Sequence, residues 1–120
     1  MSLEYVDWDI GAVTVINLAG RITLGKGTER LRQAVRDVLD RGRRQILLNF
    51  DEVFYVDSSG LGELVASSKR VLQAGGRMKL MKLNQVANNL LQVTRLYMVF
   101  EVFKDEASAL RSFEEARPGH

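Results

Sequence analysis

The sequence predicts an α/β domain: a mixed sheet of about five strands, mostly parallel with an antiparallel N-terminal edge strand, packed by about four helices. Three observations predict it. Two runs rich in β-branched and aromatic residues open the chain around Asp9-Ile10-Gly11, and short apolar runs then alternate with segments whose apolar residues recur every three or four positions. The length of 120 residues suits one layered core and is too short for two. Repeated strand–helix–strand order demands crossovers, and crossovers join parallel strands.

Each element has its own signal. Leu3–Trp8 and Val13–Ala19 read as the two strands of an N-terminal hairpin. From Thr28, the spacing of Leu31, Ala34, Val35, Val38 and Leu39 is that of a helix lying on a sheet, and Gly42 is placed to end it. Arg44–Phe50, with the unbroken triplet Ile46-Leu47-Leu48, reads as a strand covered on both faces. Asp57-Ser58-Ser59 opens a second helix with Leu61, Leu64, Val65, Val71 and Leu72 inward, stopped by Gly75-Gly76. Met78–Met81 is a short strand with Lys79 among apolar neighbours, and Asn84 caps a third helix carrying Val86, Leu90, Leu91 and Val93. Val99–Phe103 is the last expected strand, and Asp105 caps a helix with Ala107, Ala109, Leu110 and Phe113 inward. One domain is expected over residues 1–116, with 117–120 a frayed tail.

Composition narrows the function. With 46% hydrophobic and 27% charged residues and no cysteine, the chain reads as globular, without disulfides, thiolate nucleophiles or thiolate metal sites. Its longest apolar runs fall far short of a membrane span, and Met1-Ser2-Leu3-Glu4 lacks a signal pattern; a cytoplasmic protein with no membrane insertion is expected. The net charge is +2, with a local excess at Arg30, Arg32, Arg36, Arg41, Arg43 and Arg44. No aromatic residues interleave these arginines, so they read as a solvated helix face rather than a nucleic-acid stripe.

The residues are also poorly suited to catalysis. His120, the only histidine, is terminal, and a serine nucleophile would have no base, so no enzyme and no cofactor is expected. Asp51, Glu52 and Asp57 could form a carboxylate cluster, but acids at the end of a strand more commonly serve turns and caps. Gly20-Arg21-Ile22-Thr23-Leu24-Gly25-Lys26 matches Gly-x-x-x-x-Gly-Lys, which keeps a nucleotide-binding loop open as a weaker alternative. Gly27 stands where that motif needs the Ser or Thr that holds Mg²⁺.

The most informative stretch is Asp57-Ser58-Ser59-Gly60-Leu61-Gly62, where hydroxyls sit between a buried strand and an amphipathic helix. A helix start carries unpaired N–H groups and partial positive charge, which suit a cap or a phosphate. Local chemistry leaves both readings open. A phosphate on Ser58 would add about −1.5 to −2 charge and would disturb a partner docked over it.

Val56-Asp57-Ser58-Ser59-Gly60-Leu61-Gly62, with Ala74-Gly75-Gly76-Arg77 after it and Val15-Ile16-Asn17-Leu18-Ala19-Gly20 before it, resembles the STAS domain of bacterial anti-sigma factor antagonists. The resemblance spans Leu3 to Glu114. It implies a protein-binding switch: Ser58 is phosphorylated by an anti-sigma factor that is a serine kinase and binds the ATP, a serine phosphatase reverses this, and only the unphosphorylated form binds the anti-sigma factor. The partner-binding surface it implies comprises Thr23, Lys26, Asp57, Ser58, Ser59 and Gly60, together with Glu63 and Ser67 on the exposed side of the following helix. Thr23 and Asn49 stand where the family pattern carries acids. The competing reading is a non-switching STAS subunit that binds an ATPase in a transporter or a larger signalling assembly.

Overall fold

The computed structural model describes residues 3–115. The residues expected as a frayed tail lie outside them. Strands β1 (Leu3–Ile10) and β2 (Val13–Ile22) form the antiparallel hairpin, and α1 (Lys26–Asp40), β3 (Gln45–Val56), α2 (Ser58–Gln73) and β4 (Arg77–Met81) follow. Then come α3 (Gln85–Val93), a 3-10 turn at Leu96–Met98, β5 (Val102–Phe103) and α4 (Glu106–Glu115). The five strands lie in sequence order, β1-β2-β3-β4-β5, with only the first pair antiparallel.

Because every crossover steps one strand in the same direction, α1, α2 and α3 share one face of the sheet. Leu31, Val35, Leu64, Val71 and Leu91 from these helices join Ile16, Leu18, Ile46, Leu48 and Leu80 in the larger core. On the other face α4 packs Ala109 and Phe113 against Val13, Val15, Leu47 and Met81. The unbroken triplet of β3 is thereby explained: Ile46 and Leu48 face one core and Leu47 the other.

Several boundaries differ from expectation. β3 runs past Phe50 to Val56, because β2 is long enough to keep pairing with it after β4 has ended at Asn49↔Met81. Register shifts at Asn17/Ala19 and Gly20/Arg21 place Phe50, Val53 and Val56 in the larger core at a spacing of three. Alternation with period two could not reveal that strand. Asp51 and Glu52 are therefore exposed strand residues and not a loop cluster. At the other edge only Val102–Phe103 pairs, since the 3-10 turn takes up the chain before it, leaving Val99 exposed and Phe100 buried. Leu72, Val86 and Val93 point to solvent instead of into the core.

Arg30, Arg36, Arg41 and Arg44 are exposed, as expected of a solvated face, but most of the six arginines are also engaged. Arg30 donates to the Leu3 carbonyl and lies over the Tyr5 ring, Arg41 pairs with Asp7, and Arg43 reaches the Thr14 hydroxyl and the Gly11 carbonyl. Arg44 donates to the Leu39 carbonyl, and Arg32 to Glu63. Four of the six, Arg30, Arg32, Arg41 and Arg43, tie α1 and its following turn to neighbouring elements.

Candidate functional site

The carboxyl ends of β2 and β3 feed the first turns of α1 and α2, and the candidate site lies where these two junctions meet. Asp57 joins them. It is the N-cap of α2 in an extended conformation, and its Oδ1 accepts the Gly60 N–H at 2.7 Å. Its Oδ2 accepts the Leu24 N–H at 3.1 Å, while its own N–H donates to the Ile22 carbonyl at 3.2 Å. One carboxylate thus satisfies a helix donor and fastens the adjacent loop.

Since Asp57 is the cap, Ser58 and Ser59 are left for other work. They are the first two residues of α2; Ser58 is exposed and Ser59 partly buried, and no hydrogen bond of either hydroxyl occurs among the described residues. Gly60 is buried and must be glycine, because an added Cβ would clash with the Ile22 carbonyl oxygen. Gly27 meets the Arg21 carbonyl in the same way at 2.9 Å. Both first turns are therefore held against the end of β2 by glycines that allow backbone approach.

The loop between β2 and α1 is only Thr23–Gly25. Thr23 is partly buried and its carbonyl accepts the Thr28 N–H; Gly25 has a φ of 98°, and Lys26 is exposed at the head of α1. Gly20, Arg21 and Ile22 are strand residues paired with β3. A phosphate loop needs those positions free to wrap an anion, so the nucleotide-binding alternative fails on geometry. The acids Asp51, Glu52 and Asp57 are also dispersed: Asp51 and Glu52 lie along β3, Glu52 accepts from Asn17, and Asp57 serves the cap. Among the described residues, no group of three or more His, Asp or Glu side chains is placed to hold a metal ion.

Glu63 and Ser67 are corrected. They do not lie on an exposed side of α2: Glu63 is 7% exposed and Ser67 is fully buried. Both face α1, where the Glu63 carboxylate takes the Arg32 guanidinium at 2.8 Å and the Ser67 hydroxyl at 3.1 Å. The carboxylate in turn raises the Arg32 pKa by hydrogen bonding and by charge. Their positions among Gly60, Leu64 and Val71 follow the buried stripe of α2, so helical periodicity alone places them inward. The sequence reading followed their polarity instead.

Three exposed apolar side chains at this end of the sheet were not anticipated. Leu24 is 77% exposed on the loop tied to Asp57, and Phe54 and Tyr55 precede the α2 cap on β3, with Arg21 stacked over Phe54 at 5.3 Å. Leu24 stands between turn residues and belongs to no periodic pattern, and Phe54 is the residue skipped where the β2–β3 pairing shifts from Gly20↔Val53 to Arg21↔Tyr55. Chemically, the site offers an accessible hydroxyl at the positive end of a sixteen-residue helix, beside an apolar rim.

Comparison with known proteins gives a consistent picture. The chain is 25% identical over 103 residues to an anti-sigma F factor antagonist of Paenibacillus polymyxa, covering 85% of this chain and 87% of the relative. Its fold superposes with a TM-score of 0.80 on an anti-sigma factor antagonist from Mycobacterium paratuberculosis, at 19% identity, covering 94% of this chain and 95% of that one. The Bacillus cell fate determinant SpoIIAA in its phosphorylated form has the same fold, with a TM-score of 0.68, 20% identity and coverage of 95% and 100%. Residues 8–109 match the STAS domain, and with that match, the sheet order and the junction at Asp57, the chain belongs to the STAS domain family.

Proposed function

We propose that this protein is an anti-sigma factor antagonist whose binding is switched by phosphorylation of Ser58. The observation that carries the reading is the division of labour at the start of α2: Asp57 supplies the cap, which leaves the Ser58 hydroxyl exposed and unengaged among the described residues. The 25% identical relative is an anti-sigma F factor antagonist, and the Bacillus protein of the same fold has a phosphorylated form.

In this reading the partner is an anti-sigma factor with serine kinase activity, which brings the ATP, and a serine phosphatase restores the unmodified state. The chain is a binding module of the cytoplasm and catalyses nothing itself. The docking surface takes in Thr23, Leu24, Lys26, Asp57, Ser58, Ser59 and Gly60, with Glu63 and Ser67 behind it. A phosphate on Ser58 meets the dipole of α2 and the unpaired N–H groups of its first turn, so the fold accommodates the charge. The partner does not: its surface over Leu24 and Ser58 must then bury or face a new dianion.

Incubation with the cognate kinase and ATP, followed by intact mass and site mapping, tests the assignment. One added phosphate on Ser58, absent in Ser58→Ala, is expected. No phosphate, or phosphate only on Ser59 or Thr23, overturns it.

A further inference from the structure

α1 and α2 pack side by side, and the charged group buried between them is Glu63. Its Oε1 accepts both Nη2 of Arg32, at 2.8 Å, and Nε, at 3.2 Å. Its Oε2 accepts the Ser67 hydroxyl at 3.1 Å and lies 3.7 Å from Nη1 of Arg70. Removing a carboxylate from water is expensive, and a buried ion pair commonly adds nothing net to stability over an apolar pair of the same volume. Apolar packing by Leu31, Ala34, Leu61 and Leu64 already supplies adhesion to the common core. A directional bridge supplies something that packing does not, a fixed register between two helices.

We infer that Glu63 and Arg32 are positioning residues that set the loop before α1 against the start of α2. Arg32 lies within two turns of the head of α1, and Glu63 within two turns of the head of α2. The heads themselves rest on the same short piece of backbone, Arg21–Ile22, through Gly27 and Gly60. The Leu24 N–H to Asp57 Oδ2 bond, at 3.1 Å, spans the two junctions, so a slip of α1 along α2 lengthens it first. Neither Glu63 nor Arg32 belongs to the exposed rim; they act through the geometry of Leu24 and Ser58. For partner binding, this inference rests on the Ser58 reading. The coupling itself does not.

The test is native-state amide exchange on the full chain, comparing Arg32→Met, which keeps the apolar stem, with Arg32→Lys, which keeps a cation. Arg32 is partly exposed, and its loss leaves Glu63 with Ser67 and Arg70. Arg32→Met is expected to speed exchange of the Leu24 N–H about tenfold while the Leu48 amide in β3 stays unchanged, and Arg32→Lys is expected to recover most of the protection. Glu63→Gln is expected to act in the same direction. Unchanged Leu24 exchange, or Leu24 and Leu48 accelerating together, overturns the inference, the second result marking a purely structural bridge. Because no partner is present, this outcome is independent of whether a kinase phosphorylates Ser58.

Discussion

At the scale of single residues, the site depends on which atoms are occupied and which are not. Both oxygens of Asp57 accept backbone N–H groups, from Gly60 and Leu24, so its carboxylate is committed to the fold and the neighbouring hydroxyl to the surface. Gly60 is equally constrained, because its missing Cβ is the space through which α2 approaches Ile22. Gly60→Ala is expected to destabilise the protein by about 2–3 kcal/mol, as forced overpacking against backbone does, read as a lowered midpoint of urea unfolding. Gly62→Ala, where nothing lies within 4 Å, is expected to be neutral or slightly stabilising and serves as the control. The glycines and the Asp-Ser-Ser junction were legible in the sequence as a helix start. Which residue caps was not, since Asp and Ser are comparable N-caps; in the fold Asp57 takes the Gly60 N–H, and its second oxygen also holds the Leu24 N–H of another loop.

At the scale of elements, pattern reading succeeded where one face was buried and failed where polarity and periodicity disagreed. The apolar stripe of α1 and the triplet of β3 carried their own positions, as did that of α2 except at Leu72, which is exposed. Glu63, Ser67 and Lys79 are polar residues on buried faces; Ser67 is satisfied by Glu63 one turn away, while Glu63 and Lys79 are made tolerable by partners distant in sequence. Lys79 is 1% exposed beneath α4, with its ammonium 2.9 Å from the Ser112 hydroxyl, 3.4 Å from Glu101 and over the Phe113 ring at 4.6 Å. No local window contains those partners. Asn49 donates to Asn17, which in turn donates to Glu52, so the two carboxamides relay hydrogen bonding to the carboxylate.

The cap of α4 gives an element-scale prediction. The Asp105 carboxylate accepts the Ser108 N–H at 2.7 Å and its hydroxyl at 3.2 Å, and chiefly that backbone bond holds its pKa below the ordinary 3.8. A carboxyl group with a lowered folded value stabilises fully above its unfolded value and loses that contribution as pH falls through the folded one. The stability advantage of wild type over Asp105→Ala is therefore expected to be full at about pH 5 and to shrink steadily below about pH 3.8. Urea unfolding of both proteins across that range checks it, and a gap independent of pH would contradict the capping role.

At the scale of the whole molecule, the sheet order separates two ends with different duties. Sequential strands and three crossovers over one face gather the Thr23–Gly25 loop and the head of α2 at the carboxyl ends of β2 and β3, the usual place for sites in parallel sheets. No helix among the described residues is long and apolar enough to cross a membrane. Fold class, the antiparallel N-terminal edge of a mostly parallel sheet and the helix start at Asp57-Ser58 could be read from the sequence because they follow from local spacing and element order. The apolar rim of Leu24, Phe54 and Tyr55, and the ion pair behind it, depend on register shifts and helix contacts that only the folded chain sets.

The central claim is that phosphate on Ser58 governs docking while the fold stays intact. Isothermal titration of the anti-sigma factor with the unmodified protein and with the Ser58-phosphorylated protein, each first shown by circular dichroism to be folded, tests it most directly. The account predicts tight binding by the unmodified form and at least a hundredfold loss on phosphorylation, a coupling of about 2.7 kcal/mol. Equal affinities for the two folded forms would contradict it.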